Sequence, residues 1–329
     1  MPTYTLPQIE APSLDDLEIS VTPPPLSTTD DLIGRLHETL RDAAPRQQRG
    51  PDEALEMGDE VDCDIVMEFD GQIWPGGAQR LPKLEMRSIL DMPGLIEAMV
   101  GMTPNSETSV ELNLASDYPV PSLAGRRTTI HVKIRDAYRV EMPELDDTAA
   151  LEASHLGSSV EEAMATIAGL LDGEQGEDLL VLATEAVLDA VAQRVQVEVP
   201  DEAVDEELRL GWEKGPGALL GQGFAPEQVE AARDAYQSSP AVRADAVRRI
   251  KINLALAALV EKEGLEPSVE VMRELLEAAS LPLDMTLAQL KKALAAEPEE
   301  ARQAVESALY LTAVRYVVAK AKITVLDDE

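Results

Sequence analysis

The residue types that most often carry catalysis are few and widely separated in this chain. Three histidines, His37, His131 and His155, lie on different predicted elements, and Cys63 is the only cysteine. No His-Glu-x-x-His, Cys-x-x-Cys or Gly-Lys-Ser/Thr spacing is present, so neither a metal site nor a phosphate-binding loop is predicted. His131 occupies an alternating strand and is expected to face solvent. The sequence predicts no metal, no cofactor and no ordinary hydrolase or transferase site.

The charge balance argues against several classes of partner. The chain has 62 Asp and Glu against 28 Lys and Arg, a net charge of −34. Nucleic acid, ribosomal RNA and anionic lipid attract clustered cations, so we expect no nucleic-acid partner, no stable ribosome binding and no membrane partner. A lone cysteine forms no internal disulfide, and no signal peptide or membrane-length apolar run is visible. Cytoplasmic localisation is therefore predicted.

The first 140 residues predict an extended arm, one helix and a small β region. The arm has a strand near 17–21, and Ser27-Thr28-Thr29-Asp30 offers N-caps for a helix that runs to about residue 42. From Gly58 apolar and polar residues alternate. Asp70-Gly71 predicts a hairpin, Gly76-Gly77 predicts a second turn, and Pro93-Gly94-Leu95 begins one short helix.

After Pro143 the strand pattern disappears and helical periodicity takes over. The longest uninterrupted apolar stripe follows Pro240 and ends at Gly264, so we expect a spine helix of about 24 residues there. The glycines at 173 and 176 are interpreted as a break between two helices. The predicted helices cover about 159–171, 177–194, 201–214, 226–237, 242–262, 268–279, 287–295 and 299–320.

The β region resembles an FKBP-type prolyl isomerase domain in the order of its motifs. These are Gly58-Asp-Glu-Val-Asp-Cys-Asp64, Asp70-Gly71, Trp74, Gly76-Gly77, Pro93-Gly94-Leu95 and Ser116-Asp117-Tyr118-Pro119. The segments that follow it are similar to the trigger factor family. They are Val140 to Asp147, Val197-Glu-Val-Pro200, Ala246-Val-Arg-Arg249 and Ala319-Lys-Ala-Lys-Ile-Thr324.

The resemblance implies the α+β fold class and a discontinuous architecture. Residues 1–52, the arm plus helix, would join residues 141–329 in one multi-helix chaperone domain of the trigger factor C-terminal type. Residues 53–140 would form a small FKBP-like antiparallel β domain inserted into it. The family's N-terminal ribosome-binding domain is expected to be absent, which agrees with the acidic charge.

The resemblance also implies an isomerase pocket that has lost most of its aromatic walls. The pocket positions are Ile65, Trp74, Pro75, Pro82, Met92, Leu95, Tyr118 and Ile130. In the family an aromatic cage holds the prolyl ring away from water. Here only Trp74 and Tyr118 stay aromatic, and Pro75 stands where an acidic residue is usual. We expect weak or no isomerase activity and predict no catalytic residue; a domain kept for its structure and a domain kept for binding are both left open.

The family's function implies that this chain binds other proteins through apolar surface. The candidate client-binding residues are Leu219, Leu220, Phe224, Met164, Met272 and Met285, and Phe224 is expected to be exposed in its glycine-flanked loop. Three hypotheses are carried forward. The first is a ribosome-independent partner that holds one dedicated client soluble or inactive, for example before secretion. The others are a generalist ATP-independent holdase and an active FKBP-type isomerase. A homodimer is also left open.

Overall fold

The computed structural model describes residues 6–267, 269–280, 286, 288, 289, 292, 295 and 298–326. Met285 and most of the helix predicted near 287–295 lie outside them. The chain divides into two compact units, each built from separate segments. The terminal unit contains residues 1–26, 172–204 and 244–329, and the sheet unit contains residues 27–171 and 205–243. The sheet unit thus includes residues on both sides of the predicted boundaries at 52/53 and 140/141.

Strands and helices are interspersed up to residue 140, and almost every later element is a helix. The strands are β1 (Glu18–Val21), β2 (Arg46–Gln48), β3 (Glu60–Phe69), β4 (Gln72–Glu85), β5 (Glu107–Asn113), β6 (Arg127–Val140) and β7 (Lys322–Val325). The helices are α1 (Thr29–Ala43), α2 (Leu95–Met99), α3 (Thr148–Ala153), α4 (Val160–Gln193), α5 (Asp201–Lys214), α6 (Pro216–Leu220), α7 (Pro226–Ser238), α8 (Pro240–Glu263), α9 (Val269–Ser280) and α10 (Pro298–Lys320). The fold class is α+β, as predicted.

The sheet unit is organised on an antiparallel sheet with strand order β2-β6-β3-β4, and β5 pairs with β6 as well. The predicted hairpin at Asp70-Gly71 is confirmed, with φ values of 52° and 80°. The register aligns Met67 with Trp74 and with Ile130, so these side chains lie on one face, which we call the inner face. Val66 aligns with His131, and these define the outer face.

The predicted turn at Gly76-Gly77 is wrong, because both glycines lie inside β4. A Cβ atom at Gly76 would lie 2.8 Å from the Trp74 ring, and one at Gly77 would lie 2.8 Å from the Met67 side chain. These glycines let a large neighbouring side chain lie flat across the strand, a use of glycine that looks the same as a turn in sequence.

Helix α1 begins where its capping residues predict. The side chain of Thr28 accepts from the backbone N–H of Asp31, whose carboxylate accepts from the backbone N–H of Thr28. Leu36 and Leu40 on the buried side of α1 pack with Leu151 of α3 and Ile167 of α4. This small core belongs entirely to the sheet unit.

The terminal unit packs α4, α8 and α10 together with both ends of the described chain. Its core includes Val187 and Val191 of α4, Leu256 of α8 and Val317 of α10. Strands β1 and β7 form a parallel pair in the register Glu18↔Lys322 to Val21↔Val325. The predicted spine helix is confirmed as α8, and Gly264 follows it with a φ of 62°.

The predicted break at Gly173–Gly176 is wrong, because α4 is continuous through both glycines. A Cβ atom at either position would meet nothing within 4 Å, so no close neighbour requires a glycine there. A glycine in a helix costs about 1 kcal/mol relative to alanine, a cost that packing elsewhere along the helix offsets. Within the described ranges, every helix is too short or too polar to cross a membrane.

Candidate isomerase-like pocket and protein-binding surfaces

Three of the predicted pocket positions are core residues. Ile65, Leu95 and Ile130 are each 0% exposed and pack into the inner-face core with Met99 and Cys63. A fully buried aliphatic side chain presents no wall to a bound ligand. Burial, together with the nearby charges of Asp62 and Asp64, raises the pKa of the Cys63 thiol to about 12, so this thiol is not a nucleophile at neutral pH.

Trp74 and Tyr118 lie at the margin of the same core and are partly buried. The Trp74 ring meets Phe69 edge-on with centroids 6.2 Å apart, and the Tyr118 hydroxyl lies 4.0 Å from the sulfur of Met67. Burial and the charge of Asp91 raise the pKa of Tyr118. Met67 therefore contacts one retained aromatic and aligns across the strands with the other.

Sequence reasoning did not name Met67, although it shares the alternation of Cys63 and Ile65 along β3. Met92 packs at the edge of the inner-face core, and Pro75 is buried in β4. Pro82 is exposed and lines a separate cleft of about 500 Å³ with Arg41 and Glu85. The structure thus brings Ile65, Trp74, Met92, Leu95, Tyr118 and Ile130 to one core, and Pro82 lies in other surroundings.

The outer face of the sheet is covered by helices α5 to α7. Val66 and Ile73 of the sheet form a buried cluster with Trp212, Leu220 and Ala232. Phe224, Val229 and Tyr236 are partly buried around it. Two of the predicted client-binding residues, Leu220 and Phe224, therefore face the chain's own sheet. The expectation that Phe224 is exposed is wrong.

His131 is held at this contact and does not simply face solvent, so that expectation is also wrong. Its Nε2 lies 2.9 Å from Glu68 Oε2 and its Nδ1 lies 2.8 Å from Ser109 Oγ. With Glu68 ionised, Nε2–H donates to the carboxylate and Nδ1 accepts from the serine hydroxyl. The ring meets Phe224 edge-on, with centroids 5.5 Å apart. These neighbouring sheet positions orient the imidazole toward the covering segment.

Three clefts border the covering helices. One of about 320 Å³ is lined by Ser109, His131, Leu219 and Phe224, among others. A second, of about 560 Å³, lies between Ile73 and residues of α7. A third, of about 440 Å³, is bordered by Trp212 and Phe224. The helices therefore contact the sheet over a limited area with open space around it.

The remaining predicted client-binding residues are scattered. Leu219 is partly buried beside the first cleft, and Met164 packs against the small core of α1, α3 and α4. Met272 is partly buried on α9 in the terminal unit, and Met285 lies outside the described residues. These side chains do not form one surface within either unit.

An exposed apolar segment that sequence reasoning missed lies on α4 in the terminal unit. Leu180, Val181 and Leu182 are 59%, 60% and 47% exposed. Exposed carboxylates of Glu177 and Asp178 precede them in the helix. Three successive apolar residues span about 200° around a helix axis. This is wider than a single buried stripe requires, so part of the run faces solvent. This excess of apolar residues was the available sequence signal.

The architecture defines an α+β protein in which an antiparallel sheet and its covering helices accompany a helical unit carrying exposed apolar side chains. Residues 159–319 match the sequence family described as the bacterial trigger factor C-terminus. These residues make up just under half of the chain, and the relatives described below extend the similarity to trigger factors into its middle region. This confirms the resemblance noted from the sequence.

Individual relatives agree with this assignment. The trigger factor of Halothermothrix orenii is 29% identical over 245 residues, covering 74% of this chain and 57% of that protein. The trigger factor of Staphylococcus carnosus is 28% identical over 246 residues, with 74% and 56% covered. That of Geobacter sp. (strain M21) is 25% identical over 322 residues, with 97% and 72% covered. The chain thus spans little more than half the length of the first two.

A solved structure described as "Promiscuous Substrate Recognition in Folding and Assembly Activities of the Trigger Factor Chaperone" overlaps 94% of this chain and 72% of its own. The TM-score is 0.37 and the identity 13%. A TM-score this low carries no conclusion about the arrangement of this chain.

Proposed function

We propose that the protein is a chaperone of the trigger factor type, which binds other polypeptides through exposed apolar surface. The observation that carries the proposal is the segment Leu180-Val181-Leu182, about half exposed or more and inside the matched region 159–319. Contiguous exposed apolar side chains rimmed by charge are typical of surfaces that contact other proteins. Glu177 and Asp178 beside them keep this surface hydrated in the absence of a client.

We further propose that the protein works without the ribosome, in the cytoplasm, and serves one dedicated client that it holds soluble or inactive. A net charge of −34 repels ribosomal RNA, which supports independence from the ribosome. The aliphatic inner-face core at Ile65, Leu95 and Ile130 supports the loss of prolyl isomerase activity on a broad range of polypeptides. A generalist holdase is the second candidate. It is favoured by the absence of polar side chains within the 180–182 segment, because apolar contacts alone select clients weakly.

The chaperone proposal is tested by suppression of aggregation of a chemically unfolded protein, followed by light scattering. The double variant Leu180→Asp/Leu182→Asp should lose most of the suppression shown by the unchanged chain, because two charges within the segment oppose apolar contact. The matched control is Leu90→Asp, which changes a leucine that is 88% exposed and lies outside the region 159–319. Equal suppression by both variants would contradict the assignment of the binding surface.

The number of clients is tested by affinity capture of the full chain from its own cells, with mass spectrometry of the proteins retained at moderate salt. One dominant partner in near-equal amount would support a dedicated chaperone or inhibitor. A broad set of weakly retained proteins would favour the generalist holdase. Abundant ribosomal proteins would overturn independence from the ribosome.

The third candidate is an active isomerase, which the partly exposed Trp74 and Tyr118 favour. We propose that its activity is weak. A proline-peptide isomerisation assay should therefore give rates near the uncatalysed background, and Tyr118→Phe should leave them unchanged. Rapid turnover that falls in Tyr118→Phe would establish an isomerase and refute this expectation.

A further inference from the structure

We propose that the outer face of the sheet is an interaction surface for a short helical segment that carries a leucine and, four residues later, an aromatic residue. In the structure the chain's own residues 216–224, the cover segment, occupy this surface through Leu220 and Phe224. An apolar segment of a client displaces the cover segment and takes its place. The inference deepens the proposed chaperone function and rests on it for the identity of the occupant.

The first argument is the small apolar area that holds the cover segment. The outer-face cluster has five buried members, whereas the inner-face core has seventeen, counting described residues only. Because hydrophobic stabilisation scales with apolar area removed from water, the outer-face contact is much the weaker of the two. The sheet therefore stays folded on its inner core when the cover segment leaves.

The second argument is the incomplete filling of the contact. The three clefts of about 320, 560 and 440 Å³ all border the cover segment or the adjoining part of α7. Protein interiors leave few voids larger than a water molecule, and side chains beside open space lose the dispersion contacts that a filled site supplies. A better-fitting segment from another protein can therefore compete with the cover segment.

The third argument is that release of the cover segment leaves the charged side chain of Arg135 with its partner on the sheet. Arg135 donates from Nη2 to Gln222 Oε1 at 3.3 Å, a long hydrogen bond to the cover segment. The same arginine is held by Asp64 on the sheet, through Nε at 2.7 Å and through Nη2. When Gln222 departs, Arg135 keeps its carboxylate partner. His131 likewise keeps Glu68 and Ser109, so Arg135 and His131 both keep their side-chain partners on the sheet.

The fourth argument is the backbone at the two ends of α6. Gly215 precedes α6 with φ −114° and ψ −117°, a conformation outside the usual regions, and Gly221 and Gly223 follow it. Glycine changes φ and ψ at little steric cost, so short glycine joints allow α6 to leave the sheet without distorting α5 or α7.

The chemistry of the partner follows from what the site now holds. Leu220 is fully buried against Val66 and Ile73, and the rings of Phe224 and His131 meet edge to face with their planes at 84°. Leu220 is the last residue of α6, and the Phe224 backbone N–H donates to the Leu220 carbonyl at 3.3 Å, so the two residues are one helical turn apart and the site matches a leucine followed by an aromatic ring at that spacing. Edge-to-face packing of an imidazole and an aromatic ring is favourable, which selects a ring over an aliphatic side chain at the second position.

The test uses the full chain and a fluorescent peptide with the sequence of residues 216–232. In the opened variant Leu220→Ser/Phe224→Ser, the cover segment no longer fills the site. We expect the peptide to bind this variant at least about tenfold more tightly than it binds the unchanged chain, because the internal competitor is gone. Adding Ile73→Asp to the opened variant should abolish binding. A peptide with serine at the positions of Leu220 and Phe224 is the control probe.

A second measurement keeps Leu220 and Phe224 in place, and the same variant without cross-linker controls for the loss of the Arg135–Asp64 pair. The variant Arg135→Cys/Gln222→Cys, closed with a short bis-maleimide, ties the cover segment to the sheet, while Cys63 stays out of reach in the core. Cross-linking should remove peptide binding and lower the suppression of aggregation severalfold relative to the same variant without cross-linker. Equal peptide binding to the opened and unchanged chains, or no effect of the cross-link on either readout, would overturn the proposal.

The two proposals fail separately. If the unchanged chain does not suppress aggregation but the opened variant gains peptide binding, the chaperone function is wrong and the interaction surface stands. If aggregation is suppressed equally with the cover segment tied and free, the chaperone function stands and the interaction surface is wrong.

Discussion

Arg49 and Asp59 form an ion pair in which both side chains are only 3% exposed, with 2.5 Å between Arg49 Nε and Asp59 Oδ2. A second contact joins Arg49 Nη2 to Asp59 Oδ1 at 2.8 Å, and the hydrogen bond to Asp59 is the main cause that raises the pKa of Arg49. Asp59 Oδ2 also accepts from the backbone N–H of Glu56. The pair fastens the residue after β2 to the loop before β3.

We predict that Asp59→Asn lowers the free energy of unfolding of the sheet unit by about 2 kcal/mol, because it removes the buried carboxylate of the pair and leaves Arg49 only the exposed carboxylate of Glu56, 2.9 Å from its Nη2. The measurement is urea unfolding followed by tryptophan fluorescence, since Trp74 and Trp212 both belong to the sheet unit. Asp70→Asn is the matched control, as the Asp70 side chain is 93% exposed beside Arg126. Equal effects of the two variants would show that burial of the pair is unimportant.

Cys63 should resist thiol reagents in the folded chain and react fully after unfolding. Its pKa, raised to about 12 by burial, keeps the thiol protonated at every ordinary assay pH. Titration with Ellman's reagent should give no rapid reaction at pH 8 and one equivalent per chain in denaturant, because the sequence has a single cysteine. Rapid reaction of the native chain would contradict the burial.

The same thiol makes stability depend on alkaline pH. The unfolded chain loses its thiol proton near pH 9, whereas the folded chain holds it to about pH 12. The contribution is therefore complete below pH 9 and declines between pH 9 and 12, by at most about 4 kcal/mol. Comparison of the unchanged chain with Cys63→Ala isolates this effect, because other alkaline groups are common to both. Parallel pH profiles would rule it out.

Gly217→Ala should disturb the packing of Trp212. A Cβ atom at Gly217 would lie only 2.4 Å from the indole nitrogen of Trp212, so the ring or α6 must move, at a cost of about 1–3 kcal/mol. In a Trp74→Phe background, the emission of Trp212 should shift to the red. Gly223→Ala is the control, because a Cβ there meets nothing within 4 Å. A shift in the control alone would contradict the packing.

Arg248 of α8 should contribute modestly to the terminal unit. It donates to both Asp189 and Glu185 on α4, and these hydrogen bonds raise its pKa. All three side chains are at least about a third exposed, so Arg248→Met should lower local stability by about 1 kcal/mol at low salt and less at high salt.

Native-state hydrogen exchange at the amides of α8 measures this effect. Arg302→Met is the control, because Arg302 pairs with Glu306 one turn away in the same helix and should matter by a few tenths of a kcal/mol. A larger loss in the control than in Arg248→Met would refute the cross-helix role.

Local signals in the sequence predicted local structure well. The N-cap candidates Ser27-Thr28-Thr29-Asp30 predicted the start of α1, Asp70-Gly71 predicted the β3–β4 hairpin, and Gly264 predicted the end of α8. In each case the deciding interaction joins residues close in sequence. The α+β class that the resemblance implied agrees with these patterns, since alternation before Pro143 and helical periodicity after it require no knowledge of tertiary contacts.

Glycines and covered faces could not be predicted in this way. Gly76 and Gly77 serve close approach within β4, and Gly173 and Gly176 lie inside α4, distinctions that depend on distant neighbours. The sequence predicted that Phe224 lies in an exposed loop. Its ring partner His131 is 93 residues earlier in the chain, so no local pattern shows their contact. The run Ile65-Val66-Met67 was the signal available for a covered outer face. A strand with one solvent-exposed face normally alternates apolar and polar residues, whereas this run places apolar residues on both faces.

The pairing of β1 with β7 imposes an order on folding during synthesis. Glu18 and Lys322 are 304 positions apart, and the core of the terminal unit draws on Leu17, Val187 and Val317. The sheet unit needs nothing beyond residue 243 and can fold as soon as that residue has left the ribosomal tunnel. The terminal unit must wait for β7, so the segment 180–182 leaves the tunnel well before its own unit is complete. A nascent chain of this protein is therefore itself a molecule with unburied apolar helices until β7 has been made.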